Sequence, residues 1–293
     1  TREFTLGETL RALCESGGGD DACSAALNTR GLRELGVTAN TPLRSALAEA
    51  HPARLENWWG LRRLRLPALR RIAPAFRSAV DAQLAHFALR LDRGRCVYFA
   101  PEGSISMDGH FGRIRAGFFR VAHATAVPPW IQPMALGYDT LAPGRARVVV
   151  RIGARFRADT TLDRRSFDAR LRSSILNLAP VTPSHLLARY LLHGSPTFTH
   201  SEIAAWLLRS CNALESRGVS LDPLWSRTPL PRLVTRRLRW LVRTGLLARD
   251  ITGFRNTCPR SAEPGWQHPA NIARYLDHAL ADIVADVERV LPC

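Results

Sequence analysis

Apolar residues recur every three to four positions over long stretches of this chain, and short continuous apolar runs interrupt them in its middle third. Leu6, Leu10 and Leu13 share one face of a short helix within residues 1–14, which the run Gly17-Gly18-Gly19 breaks. Modest helical segments follow over 30–35 and 43–50. Phe76, Val80, Leu84, Phe87 and Leu91 stand four and three apart and predict an amphipathic helix over 75–92, with Gly94 as its stop. Short apolar runs predict strands over 64–69, 96–100, 131–136 and 146–152. Between them the pattern predicts a helix over 114–124, and after them one over 166–178 with Ser166 as its cap. Beyond Pro180 only helices are predicted, over 183–192, 201–217, 230–244 and 269–290.

Strands alternating with helices imply an α/β layer, a mainly parallel sheet flanked by helices, here followed by a C-terminal helical appendage. The expected division is an N-terminal helical or irregular segment over 1–59, an α/β domain over 60–180 and a helical domain over 181–293.

Composition narrows the function classes. The net charge of +16 favours anionic partners such as phosphate esters, anionic bilayers or nucleic acid. All 41 basic residues are Arg, a coding bias as much as a chemical one, so the placement of charge carries more than its total. Cys14, Cys23, Cys96, Cys211, Cys258 and Cys293 form no Cys-x-x-Cys pair, which points to a reducing compartment and against a structural zinc site. Cys96 reads as a small core residue. No run of 18 apolar residues exists, so a cytoplasmic protein is expected, with membrane contact only peripheral and on the inner face. Trp58-Trp59 fits either core packing or an interfacial anchor.

The most informative stretch is Phe99-Ala100-Pro101-Glu102-Gly103-Ser104, between the expected strand at 96–100 and the expected helix at 114–124. Pro101 has no N–H and ends strand pairing, and Gly103 lets backbone approach a ligand closely. Arg113 and Arg115 follow closely, as charge partners for a phosphate. A loop beyond the C-terminal end of a strand is where α/β folds place ligands.

The block Phe-x-Pro-Glu-Gly-Ser resembles the third sequence block of the glycerolipid acyltransferases, which esterify glycerol 3-phosphate or lysophosphatidic acid. Three neighbours stand in the right order. Gly112-Arg113-Ile114-Arg115-Ala116-Gly117 resembles the family's Pro-Phe-Lys-x-Gly segment, Val127-Pro128-Pro129-Trp130-Ile131-Gln132-Pro133 its Val-Pro-Ile-x-Pro block, and Leu66-Pro67-Ala68-Leu69-Arg70-Arg71 its apolar strand ending in Arg. The likeness covers roughly residues 60–155. It implies acyl transfer from acyl-CoA or acyl carrier protein, as co-substrate, to the hydroxyl of a glycerol-phosphate or lysophospholipid acceptor, with no metal and no resident cofactor. It also implies that Arg71, Glu102, Gly103, Ser104 and Arg115 hold the acceptor's phosphate end.

One block of that family is missing. Its His-x-x-x-x-Asp motif supplies the general base, and the nearest counterpart is His51 with Glu56 in the Asp place, close in sequence to Arg71. A surface His after a helix is the simpler description of His51. The base then lies upstream of Thr1, is replaced by another group, or is absent from an inactive copy that serves as a lipid-binding scaffold.

The tail permits a rival from another class. Residues 199–207 and 231–240 fit a winged-helix DNA-binding unit, with 234–243 strongly basic and 246–250 opening a β-wing. An amphipathic helix with a solvated Arg face explains the same residues. The run Asn271-Ile272-Ala273-Arg274-Tyr275 also loosely resembles the tail of the glycerol 3-phosphate branch, which makes nucleic acid the less expected partner.

Overall fold

The computed structural model describes residues 4–56, 60–103 and 106–285. They form two compact units. The first comprises residues 1–99 and 120–127, the second residues 100–119 and 128–293. The expected alternatives for Trp58-Trp59 lie outside the described residues.

In the first unit, helices α1 (Leu6–Leu13), α2 (Cys23–Ala26), α3 (Thr29–Leu35), α4 (Leu43–Glu49) and α5 (Pro52–Leu55) precede the long α6 (Leu66–Asp92). The Thr5 hydroxyl accepts from Glu8 N while the Glu8 carboxylate accepts from Thr5 N, a reciprocal cap that fixes where α1 starts. Leu6, Leu10, Leu13, Leu27, Leu35 and Leu43 meet Ala68 and Ile72 of α6 in one apolar cluster. The strand expected over 64–69 is therefore the first turn of a helix. Pro67 stands where a missing N–H costs nothing, and Ala68 and Ile72 fall one turn apart on the buried face. The helix ends as expected, with Gly94 just beyond it at φ +70°.

The second unit holds strands β1 (Trp130–Ile131), β2 (Met134–Asp139), β3 (Arg147–Ile152) and β4 (Phe156–Arg157), then α8 (Arg164–Leu176), after the helix α7 (Ala116–Ala124) that begins in this unit. Next come α9 (Pro183–His193), β5 (Thr197–Phe198), α10 (His200–Glu215), α11 (Leu224–Arg227), α12 (Leu230–Arg243), β6 (Leu247–Arg249), β7 (Phe254–Asn256) and α13 (Pro269–Ile283). Asp163, not Ser166, caps α8: its carboxylate accepts from Ser166 N at 2.7 Å. The tail helices begin and end within two residues of expectation, except that the last stops at Ile283.

The fold mixes helices with small sheets, and all ladders between the named strands are antiparallel: β1 with β4, β2 with β3, and β5–β7–β6. The expected central strand at 96–100 has no ladder partner among the described residues, and Cys96 is exposed rather than a core residue. The core of this unit is formed by α9, α10, α12 and α13, through Leu187, Leu191, Ile203, Leu207, Leu238 and Leu276. Cys211 and Cys258 are buried there, their thiols pushed up by burial to about 12 and about 11, which leaves them inert. Among the described residues, no helix is long and apolar enough to cross a membrane.

Candidate functional site

The Pro-Glu-Gly stretch is a tight turn in the second unit. Gly103 N donates to Ala100 O at 2.9 Å, and Gly103 sits at φ +71°, which is why a residue without Cβ stands there. Arg115 N donates to Pro101 O at 2.8 Å and Arg115 Nε to Glu102 O at 3.0 Å, so both the backbone and the guanidinium of Arg115 hold the turn. The Glu102 carboxylate accepts from Gly112 N. A Cβ at Gly112 would come within 2.9 Å of that carboxylate, so Gly is what lets them meet. Glu102, Gly103 and Arg115 are thus brought together, while Ser104 lies outside the described residues.

The loop after the turn folds on itself. The Ser106 hydroxyl donates to Asp108 and accepts from Gly109 N, and Asp108 also accepts from His110 N at 3.1 Å. Two distant helices then fasten it. From α8, Arg172 donates to Phe111 O at 2.7 Å, with its guanidinium 4.8 Å from the Phe111 ring. From α13, Asp282 accepts from Phe111 N, and its carboxylate lies 3.4 Å from His110 Nδ1. His278 stacks on His110 with ring centroids 4.4 Å apart, its Nδ1 2.8 Å from Asp108 O.

Electrostatics follow from this packing. Burial pushes the Glu102 carboxyl above the ordinary glutamate value of 4.5, against the pull of the Gly112 N–H and the Arg172 charge, while Asp282 and Asp108 add to the rise. Asp108, more open, is held below its ordinary value, because its hydrogen bonds from Ser106 and His110 N together outweigh its burial. One loop therefore carries a carboxyl that resists ionisation, an ionised carboxylate, and a half-exposed imidazole beside Asp282.

The other expected residues lie in the first unit. Arg71 stands on α6, not at a strand end, and its guanidinium pairs with Asp21 at 2.8 Å. His51 caps α5 by accepting from Ala53 N at 3.3 Å, and Glu56 sits at the other end of that four-residue helix. Both are exposed, and no hydrogen bond joins them. Sequence reasoning missed His110, Arg172, His278 and Asp282. His110 stands only eight residues beyond Glu102 and was open to notice. The other three come from helices far along the chain, with no local signal.

A second polar cluster lies deeper in this unit. Asp139, at the end of β2, is met by Arg237 at 2.7 Å, Arg147 at 2.9 Å and the Ser184 hydroxyl at 2.6 Å. Arg147 also bridges to Asp222. His185, fully buried beside them, takes Thr182 N at 3.1 Å and is pushed down to about 4 by burial, against the pull of Asp139 and Asp222. These groups are satisfied by one another and hold α9, α12 and the β2–β3 hairpin together.

No family model matches this chain, and no solved structure matches it significantly.

Proposed function

We propose that the turn at Glu102 receives the phosphate end of a glycerol-phosphate or lysophospholipid, and that the chain is an acyltransferase of the glycerolipid type. The observation that carries this reading is the double hold of Arg115 on the Glu102 turn, which sets a guanidinium against a glycine-opened backbone. The reaction is acyl transfer from the thioester of acyl-CoA or acyl carrier protein to the acceptor hydroxyl. The thiolate leaves as the carbonyl carbon takes the hydroxyl oxygen, and the hydroxyl proton passes to a base.

His110 is the base this geometry favours, in place of His51. Its Nδ1 faces Asp282 and its ring is half exposed, so an imidazolium formed there has a carboxylate 3.4 Å away. Arg71 pairs with Asp21 in the first unit, and the proposed site at the Glu102 turn does without it.

The reading also carries a mainly parallel sheet, with residues 96–100 as its central strand, and peripheral attachment to an anionic inner membrane face. Leu136, Val148, Val150 and Ile152 lie exposed on one face of the β2–β3 hairpin, an apolar surface of the kind that helices cover in an α/β layer. The test is transfer of a labelled acyl group from acyl-CoA to glycerol 3-phosphate or to lysophosphatidic acid. Turnover that falls roughly 100-fold or more in His110→Ala, and not in His51→Ala, supports the assignment. Turnover that survives His110→Ala unchanged refutes His110 as base. Absence of both turnover and acceptor binding refutes the acyltransferase reading.

A further inference from the structure

We propose that α12 and the β6–β7 hairpin form a binding face for double-stranded DNA, independent of the Glu102 turn. The chain order α9, β5, α10, α11, α12, β6, β7, with the sheet ordered β5–β7–β6, sets a surface helix beside an antiparallel hairpin. That is the layout of a winged helix, with α12 as the groove-entering helix and residues 250–253 as the wing tip.

The arginines of α12 are sorted by face. Arg237 turns inward to Asp139. Arg232, Arg236, Arg239 and Arg243 stand four, three and four apart on the outward side, all exposed. Among the described residues none of these four meets a carboxylate. The hairpin adds exposed Arg249 and Arg255, and its tip residue Ile251 is fully exposed. Helix and hairpin border an open groove of about 1260 Å³. Among the described residues Asp250 is the one acid that lines it, and it accepts from Ile251 N at 2.7 Å within the turn.

The chemistry discriminates among polyanions. A helix lying on a bilayer must expose its apolar face, but Leu233, Val234, Leu238 and Leu241 are buried in the core. Single-stranded nucleic acid is held by stacking on exposed aromatic rings, and the outward stripe of α12 is made of arginines. An A-form RNA major groove is too deep and narrow for a helix. The B-form major groove, about 12 Å wide, accepts a helix of about 10–12 Å diameter. At 14 residues, α12 is about 21 Å long, enough for its four arginines to reach the phosphates on both sides.

The test is fluorescence anisotropy of the full chain with a labelled random-sequence DNA duplex, over salt from about 50 to 200 mM. The expected result is binding that weakens steeply with salt. In the Arg236→Ala/Arg239→Ala double variant affinity falls roughly tenfold or more, and the log–log salt slope drops by about 2. An Arg90→Ala/Arg93→Ala control, which removes the same charge from exposed positions on or beside α6, changes neither. Circular dichroism of both variants checks that the fold is kept. Equal losses in the two variants would mean that net charge alone binds DNA, and would overturn the proposal. So would equal affinity for single strands, or preference for phosphatidylglycerol vesicles over the duplex.

Discussion

Arg237 Nη2 donates to Asp139 Oδ2 at 2.7 Å across 98 residues of sequence, and both side chains are almost wholly buried. The pair ties the basic helix α12 to the β2–β3 hairpin. Its Nη1 donates to Leu141 O at 2.7 Å and to the Ser184 hydroxyl at 3.3 Å, so hydrogen bonds as well as the opposite charge offset the burial of the guanidinium. Removing one partner leaves an uncompensated buried ion. Arg237→Ala is expected to destabilise the second unit by about 3–5 kcal/mol, read as a lowered urea midpoint. Asp139→Asn/Arg237→Met together should cost clearly less than the sum of the single changes. Additive losses would show that the pair does not act as a unit.

The same cluster sets an acid limit. His185 is buried neutral at about 4, below the ordinary histidine value of 6.5, so its contribution is full above 6.5 and is lost as pH falls toward 4. The gap corresponds to about 3 kcal/mol. Burial alone pushes the Asp139 carboxyl up, but Arg237, with Ser184 and Arg147, outweighs it and holds it below the ordinary 3.8. Its share is lost further down, as pH drops below 3.8. Stability should fall between pH 6.5 and 4, above the range in which Asp139 takes up its proton. His185→Gln, which keeps an acceptor for Thr182 N, should flatten that slope. An unchanged slope would place the acid sensitivity elsewhere.

Glu102 has the opposite sign. Its raised value means that the folded chain holds the proton more readily than the unfolded one. The benefit is full at and below 4.5 and is lost as pH rises through the folded value. Glu102→Gln keeps an oxygen for Gly112 N and should be neutral or stabilising at neutral pH. Glu102→Ala leaves that N–H unpaired and should cost about 1–2 kcal/mol. Thermal melts of the two variants decide it, and equal destabilisation would deny the hydrogen bond its role.

Gly109 tests how α13 seats on the loop. It sits at φ +91°, and a Cβ there would come within 2.0 Å of Tyr275 O. Gly109→Ala is expected to push the loop off α13, break the His110–His278 stack and lower the melting temperature. Proton shifts of the two imidazoles by NMR report on the stack directly.

Much of the helical framework was legible in the sequence. Phe76, Val80, Leu84, Phe87 and Leu91 mark the helix that became the C-terminal part of α6, and the four tail helices follow their apolar spacing. The strand expected at 64–69 failed because a short apolar run fits a helix start as well as a strand, and only packing on Leu27 and Leu35 decides between them. The turn at Glu102 was legible because Pro and Gly mark it chemically. Its clamps were not. Arg172, His278 and Asp282 look like solvated residues in sequence, and nothing local says that α8 and α13 return to residues 106–112.

The most direct measurement is calorimetric titration of the full chain with glycerol 3-phosphate, with glycerol as the control. The turn at Glu102 and Arg115 should bind the phosphate ester and not glycerol, and Arg115→Ala should lose roughly tenfold or more in affinity, about the worth of one charged hydrogen bond. Binding of glycerol and its phosphate alike, or a phosphate affinity untouched by Arg115→Ala, would contradict a phosphate-ester site at this turn.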